Sequence, residues 1–208
     1  MTDTPRPPFA VLHVCMGNIC RSPMAERLLA ARFTDALRAL DPAVDPDDLL
    51  LSGSAGTGGW HVGEPMNPPA ARQVTDRGGD PSGFTARQLH GEHIESADLI
   101  LTATGEQAAY VVALRPDAAD RTFALLEFGR LLPEVETAAL PAVALTPHGV
   151  VTRGAALVDA VAKLRAGAPP RADDDLDDPW GLGDRFFSRI ADDIETPLRR
   201  LSRILTGS

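Results

Sequence analysis

Cysteine is nearly absent. Two such residues in 208 are too few for a disulfide scaffold, and the chain reads as cytoplasmic. No apolar run approaches the roughly 18 residues of a helical membrane span, and no charged segment leads into an apolar signal core at the start. Clusters of Lys and Arg are missing too. With a net charge of −9 the chain lacks the cationic surface that holds a phosphate backbone, so neither nucleic acid nor a membrane is expected as a partner. The five histidines are scattered. His90 and His93 stand three apart with no third ligand near, and no metal or other cofactor is expected. The oligomeric state is left open.

What is present is ordinary globular material, 44% hydrophobic and 24% charged, and long enough for one domain with a sizeable core. Pro5, Pro7 and Pro8 among polar residues mark residues 1–8 as a disordered leader. Phe9–Val14 reads as a strand covered on both faces, apolar without clean alternation. His13 within it is expected to be packed and is given no role. From Pro23 onward Met24, Leu28, Leu29, Phe33 and Leu37 follow helical spacing as far as Leu40. Further strands are expected at Leu49–Ser54, Asp98–Ala103 and Arg121–Leu126, with helices at Asn67–Gly78 and Gly105–Leu114. The tail from Asp184 to Leu205 carries Phe187, Ile190, Ile194, Leu198 and Leu201 as a core stripe, in a long helix bent or interrupted at Pro197. This alternation predicts one α/β domain over residues 9–208, with a short parallel sheet flanked by helices and a ligand loop at the end of the first strand.

The chemistry concentrates in Cys15-Met16-Gly17-Asn18-Ile19-Cys20-Arg21-Ser22-Pro23. A strand ends at a cysteine, five residues follow, then an arginine, then Ser-Pro opening an apolar-periodic segment. Ser22 is placed to cap the helix, and Pro23 suits its first position. The backbone N–H groups of Met16 to Arg21, together with the helix dipole, would form a cradle for a phosphate-like oxyanion. Helix N-termini and nearby cations bring thiols from about 8.5 into a range of roughly 3.5 to 7.5, so Cys15 is expected to be a nucleophile. Arg21 offers a planar fork for two oxygens of a phosphoryl group.

Cys-x-Gly-Asn-x-Cys-Arg-Ser-Pro-x-Ala-Glu, residues 15–26, resembles the signature of the low-molecular-weight protein tyrosine phosphatases at every fixed position. Ser54-Ala55-Gly56-Thr57, Ala86-Arg87-Gln88 and Asp98-Leu99-Ile100-Leu101 resemble later family segments in order. The resemblance covers about residues 9–132 and 172–205. It implies four central strands, and hydrolysis of phosphotyrosine in proteins through a phosphocysteine. Ser54 then stands where a hydroxyl buttresses the phosphate loop through Asn18, and the Ser22 hydroxyl would stabilise the Cys15 thiolate. Trp60 falls at an aromatic pocket wall. Many members carry histidine near Phe84, so a polar support is missing here. Relatives that act on phosphoarginine carry threonine at the Ile19 position, and Ile19 favours phosphotyrosine.

Two late segments complete the reading. In Asp173-Asp174-Asp175-Leu176-Asp177-Asp178-Pro179-Trp180, four of the five carboxylates are expected to be solvated. By resemblance the Asp-Pro pair marks Asp178 as the catalytic acid, with Asp177 its nearest rival, and Trp180 as a second aromatic lining the substrate slot. The proline-containing stretch 133–171 departs from the family's usual length, with a helix marked by Leu157, Val158, Val161 and Leu164. Covering the base of the sheet and holding a partner are both open to it. Two other functions remain as alternatives: an arsenate reductase on the same fold, and a non-catalytic phosphate-binding scaffold. Cys20 is read as loop packing, or as a partner that traps an oxidised Cys15.

Overall fold

The structure is a computed structural model that describes residues 7–168 and 170–208; most of the leader expected at 1–8 lies outside the described residues. Four parallel strands, β1 (Phe9–Cys15), β2 (Leu50–Gly56), β3 (Leu99–Thr102) and β4 (Thr122–Ala124), lie in the order β2-β1-β3-β4. β1 is central, in register from Phe9 opposite Leu50 to Cys15 opposite Gly56. Successive side chains of a strand face opposite ways, and here both sides are buried. Phe9, Val11 and Cys15 join one apolar cluster, while Leu12 and Val14 join Ile94, Ile100 and Val111 in another.

The larger cluster is roofed by α1 (Arg21–Arg38) and by the last helix of the chain. In α1 the residues Met24, Leu28, Leu29, Phe33 and Leu37 are wholly buried, and each such side chain contributes about 1.5–3 kcal/mol. The smaller helices α2 (Pro68–Asp76), α3 (Gly91–Glu95) and α4 (Gly105–Leu114) fill the connections to and from β3. α4 begins with a capping box in which Thr104 Oγ1 and the Gln107 side chain each accept from the other's backbone.

The fourth strand is shorter than its apolar pattern predicts. After Ala124 the chain enters α5 (Leu125–Leu131), because Leu125, Phe128 and Leu131 reach the core at helical spacing and a short apolar run fits either state. The stretch after it carries α6 (Pro147–Ala166), which Thr146 opens by accepting the N–H of Gly149 at 3.1 Å. α6 is built into the base of the sheet. A Cβ at Gly154 would stand 2.5 Å from the ring of Phe9. Buried Arg153 donates to the Ile204 carbonyl at 2.6 Å and to that of Pro141. Arg165 donates to the Ala119 carbonyl at 2.8 Å and lies over the Phe123 ring.

The last helix, α7 (Asp184–Thr206), runs through Pro197 without the interruption expected there. Ile194, Leu198 and Leu201 are fully buried around the proline, and Gly129 of α5 leaves room for its ring, where a Cβ would meet it at 2.8 Å. That packing outweighs a local cost of about 3 kcal/mol.

Candidate active site

Cys15 ends the central strand at the carboxyl edge of the sheet, where parallel folds place their ligands. From there to Arg21 the chain wraps around Asn18, whose φ of 54° lies in the left-handed region that asparagine tolerates. The backbone N–H and both polar side-chain atoms of this buried asparagine are used. Its backbone N–H donates to Cys15 Sγ at 3.3 Å, and its Nδ2 donates to Ser22 Oγ at 2.9 Å and Ser54 Oγ at 2.8 Å. Its Oδ1 accepts from the Arg87 N–H at 2.9 Å. The network therefore closes without a polar side chain at position 84, where Phe84 is buried instead.

A second layer holds the first. Ser54 Oγ donates to Glu26 Oε2 at 2.6 Å, and Arg87 Nε to the Ser54 carbonyl at 2.7 Å. Burial pushes the Glu26 carboxyl up, opposed by the hydrogen bond from Ser54. Thr57 and Gly58 donate to the carbonyls of Cys15 and Met16, both at 2.9 Å, and Asn67 to that of Ile19 at 2.8 Å. A Cβ at Gly56 would come within 2.8 Å of the Met16 carbonyl, so this close approach requires glycine.

Ser22 does not cap the helix. α1 starts at Arg21, with Cys20 as N-cap and no side-chain cap bond. This places Ser22 inside the first turn, and its hydroxyl turns onto Cys15 Sγ at 3.0 Å. Pro23 is correspondingly the third residue of the helix. Among the described residues, no acceptor within the protein takes the backbone N–H groups of Gly17, Ile19 or Cys20. Such free donors at a helix N-terminus are what an anion needs.

The guanidinium of Arg21 is buried, donating to the Leu176 carbonyl at 3.1 Å and to Asp178 Oδ2 at 2.9 Å. The segment that brings Asp178 here is anchored at several points. Arg130 grips Asp174 bidentately at 2.9 and 2.8 Å, Asp175 accepts the Gly105 N–H at 2.7 Å, and Leu176 donates to the Ala103 carbonyl at 2.8 Å. Asp174 is thus buried rather than solvated, and its pairing with Arg130 holds its carboxyl below the usual range. Asp177 turns away to Arg189 at 2.7 Å. Asp178 lines the pocket.

That pocket is a cavity of about 170 Å³ floored by Cys15, Met16, Gly17, Ile19, Cys20 and Arg21, and walled by Trp60, His61, Asp178 and Trp180. Trp60 is 72% and Trp180 57% exposed, so the two indoles form a rim. His61 has no counterpart in the sequence reading, and only its place beside Trp60 pointed to it. Glu26 and Arg87 stand in the quoted motifs without a role, and theirs, like that of the Asp174–Arg130 pair, comes from a partner far away along the chain. Both cysteines are free thiols. Burial, with the nearby Cys15 and Asp178 adding to it, pushes the Cys20 thiol up to about 12. His13, on the same face as Cys15, is wholly buried and pushed down to about 3 by desolvation. Among the described residues no three His, Cys, Asp or Glu side chains are placed to share a metal ion, and no helix is long and apolar enough to cross a membrane.

Comparison with known proteins adds the following. The family model for low molecular weight phosphotyrosine protein phosphatase matches residues 10–136. The low molecular weight protein-tyrosine-phosphatase YfkJ of Bacillus subtilis is 36% identical over 98 residues, covering 47% of this chain and 58% of that protein. A low molecular weight protein-tyrosine-phosphatase of Streptomyces coelicolor is 39% identical over 107 residues, covering 51% and 58%. In both, the match spans less than two thirds of the relative's own length. The crystal structure of Bacillus subtilis YfkJ superposes with a TM-score of 0.60 at 25% identity, over 93% of this chain and 92% of that one.

Proposed function

Because the chain belongs to the low molecular weight phosphotyrosine protein phosphatase family, we propose that it hydrolyses aryl phosphate monoesters, phosphotyrosine in proteins above all, in the cytoplasm. The carrying observation is that Cys15, Arg21 and Asp178 converge on one cavity, with hydrogen-bond donors already aimed at the sulfur. The two free cysteines accord with a reducing compartment.

In this reading the substrate phosphate sits over the free N–H groups of Gly17, Ile19 and Cys20 and takes over the guanidinium of Arg21. Asp178 is thereby released from its ion pair. Cys15 Sγ attacks phosphorus in line, forming the S–P bond as the P–O bond to the aryl group breaks. Asp178, which takes up a proton once the guanidinium has left it, passes that proton to the departing phenolate oxygen. Water then attacks the phosphocysteine, gives its proton to Asp178, and the thiolate leaves as inorganic phosphate forms. The Ser22 hydroxyl and the Asn18 N–H stabilise that thiolate before attack and on departure. Trp60 and Trp180 accept a flat ring between them, and Ile19, buried against the floor, gives an apolar surface suited to phosphotyrosine. Residues 133–171 are read as an insert that completes the base of the domain.

The test is p-nitrophenyl phosphate hydrolysis against pH, without added metal. Cys15→Ser is expected to abolish turnover, and Asp178→Asn to lower kcat by roughly 10² while leaving the fold intact. Full activity in Cys15→Ser would refute the mechanism.

A further inference from the structure

Nothing in the mechanism uses His61, yet it is the side chain that joins the two rims of the slot. Its ring stands 5.5 Å from that of Trp180, tilted by 45°. On its other side it covers the phosphate loop, where a Cβ at Gly17 would meet His61 Cδ2 at 3.0 Å. His61 Nδ1 is fixed by Glu64 Oε2 at 2.7 Å. The turn that carries both is itself pinned, since the Gly63 N–H donates to the Ala86 carbonyl and the Ala86 N–H to that of Glu64, each at 2.8 Å. Ala86 precedes Arg87, whose N–H holds Asn18. Across the slot, the Trp180 N–H donates to Asp178 Oδ1 at 3.1 Å.

A continuous path of contacts therefore runs from the phosphate loop through His61 and Trp180 to the carboxyl of Asp178. Asp178 and Trp180 are exposed and need such a brace. We infer that His61, oriented by Glu64, is a positioning residue for the proton donor, acting through Trp180 to hold Asp178 where the leaving oxygen departs. This rests on the phosphatase reading above.

The test exploits leaving-group acidity. Both leaving groups use the proton from Asp178, but phenolate, the more basic, depends on its exact placement more steeply than nitrophenolate does. His61→Ala is expected to lower kcat/KM about tenfold on phenyl phosphate and less than about threefold on p-nitrophenyl phosphate. Glu64→Gln should shift the same ratio in the same direction by less. His61→Phe, which keeps a ring against Trp180, should restore most of the loss. Inhibition by inorganic phosphate and the thermal midpoint should stay unchanged, as expected of an intact phosphate loop. Equal losses on both substrates, no rescue by phenylalanine, or weakened phosphate inhibition would each overturn the inference while leaving the phosphatase reading in place. A wild type that hydrolyses neither substrate overturns the phosphatase reading itself, and the inference with it.

Discussion

The two halves of the slot are built on opposite plans. On the nucleophile side Cys15, Asn18, Ser22 and Ser54 are all buried, and the hydrogen bonds of the loop close on one another around Asn18. On the acid side the functional groups stand in solvent, and it is the residues before them, Asp174 and Leu176, that are buried and anchored. A preorganised anion site must not rearrange during the reaction, so its donors are fixed by other buried groups. In the proposed mechanism the carboxylate releases a cation and then trades protons with substrate and water, which needs access, and its precision comes from a tether. The difference teaches that activity and stability are coupled on one side of the slot and separable on the other.

Asn18→Ala would break the comparison most strongly. It strands Ser54 and the Arg87 N–H and places alanine at positive φ, for an expected loss of about 3 kcal/mol in urea unfolding. Turnover of p-nitrophenyl phosphate should fall by roughly 10² in the same variant. An unchanged unfolding midpoint would show that the loop is not held by this residue.

His13→Leu sharpens the comparison through pH. Burial keeps the imidazole neutral in the folded state, while the unfolded chain takes up a proton near the ordinary histidine value of 6.5. The unfolded state therefore binds more protons as pH falls below 6.5, and wild type loses stability over that window, down towards 3. Between pH 8 and pH 5.5 this group should destabilise wild type by about 1.5 kcal/mol, and His13→Leu should remove that part of the slope. Equal slopes in the two proteins by denaturant titration would contradict it.

Trp60→Ala gives the smallest effect on the fold. With an indole this exposed, stability should change by less than about 0.5 kcal/mol. KM for aryl phosphates should rise several-fold with kcat nearly kept. A collapse in stability would mean that the rim is structural after all.

The nucleophile half was legible in the sequence because its chemistry is local. Cys15, Asn18, Arg21 and Ser22 lie within one turn of chain, and a strand leading into a helix leaves them few arrangements. The cap expected of Ser22 is absent, although its hydroxyl does stand at the Cys15 sulfur. A cap and a first-turn hydroxyl differ by two residues of helix register, which composition does not resolve. The four parallel strands followed from short apolar runs alternating with helices, except where Leu125 and Leu126 serve a helix instead of the fourth strand. The interruption expected at Pro197 is absent because Gly129, far away along the chain, makes room for its ring. His61, Glu26 and Arg130 stayed hidden for the same reason, each finding its role only when folding brings a distant partner to it.

One contact bears on how the chain is made. The helix that covers the ring of Phe9 emerges some 145 residues after it, and at about 5–20 residues per second synthesis leaves the start of the central strand bare for on the order of ten seconds. The sheet can align earlier, but this part of the packing around its first apolar ring waits for Gly154. A nascent chain halted before α6 thus lacks the close backbone approach of Gly154 that covers this ring.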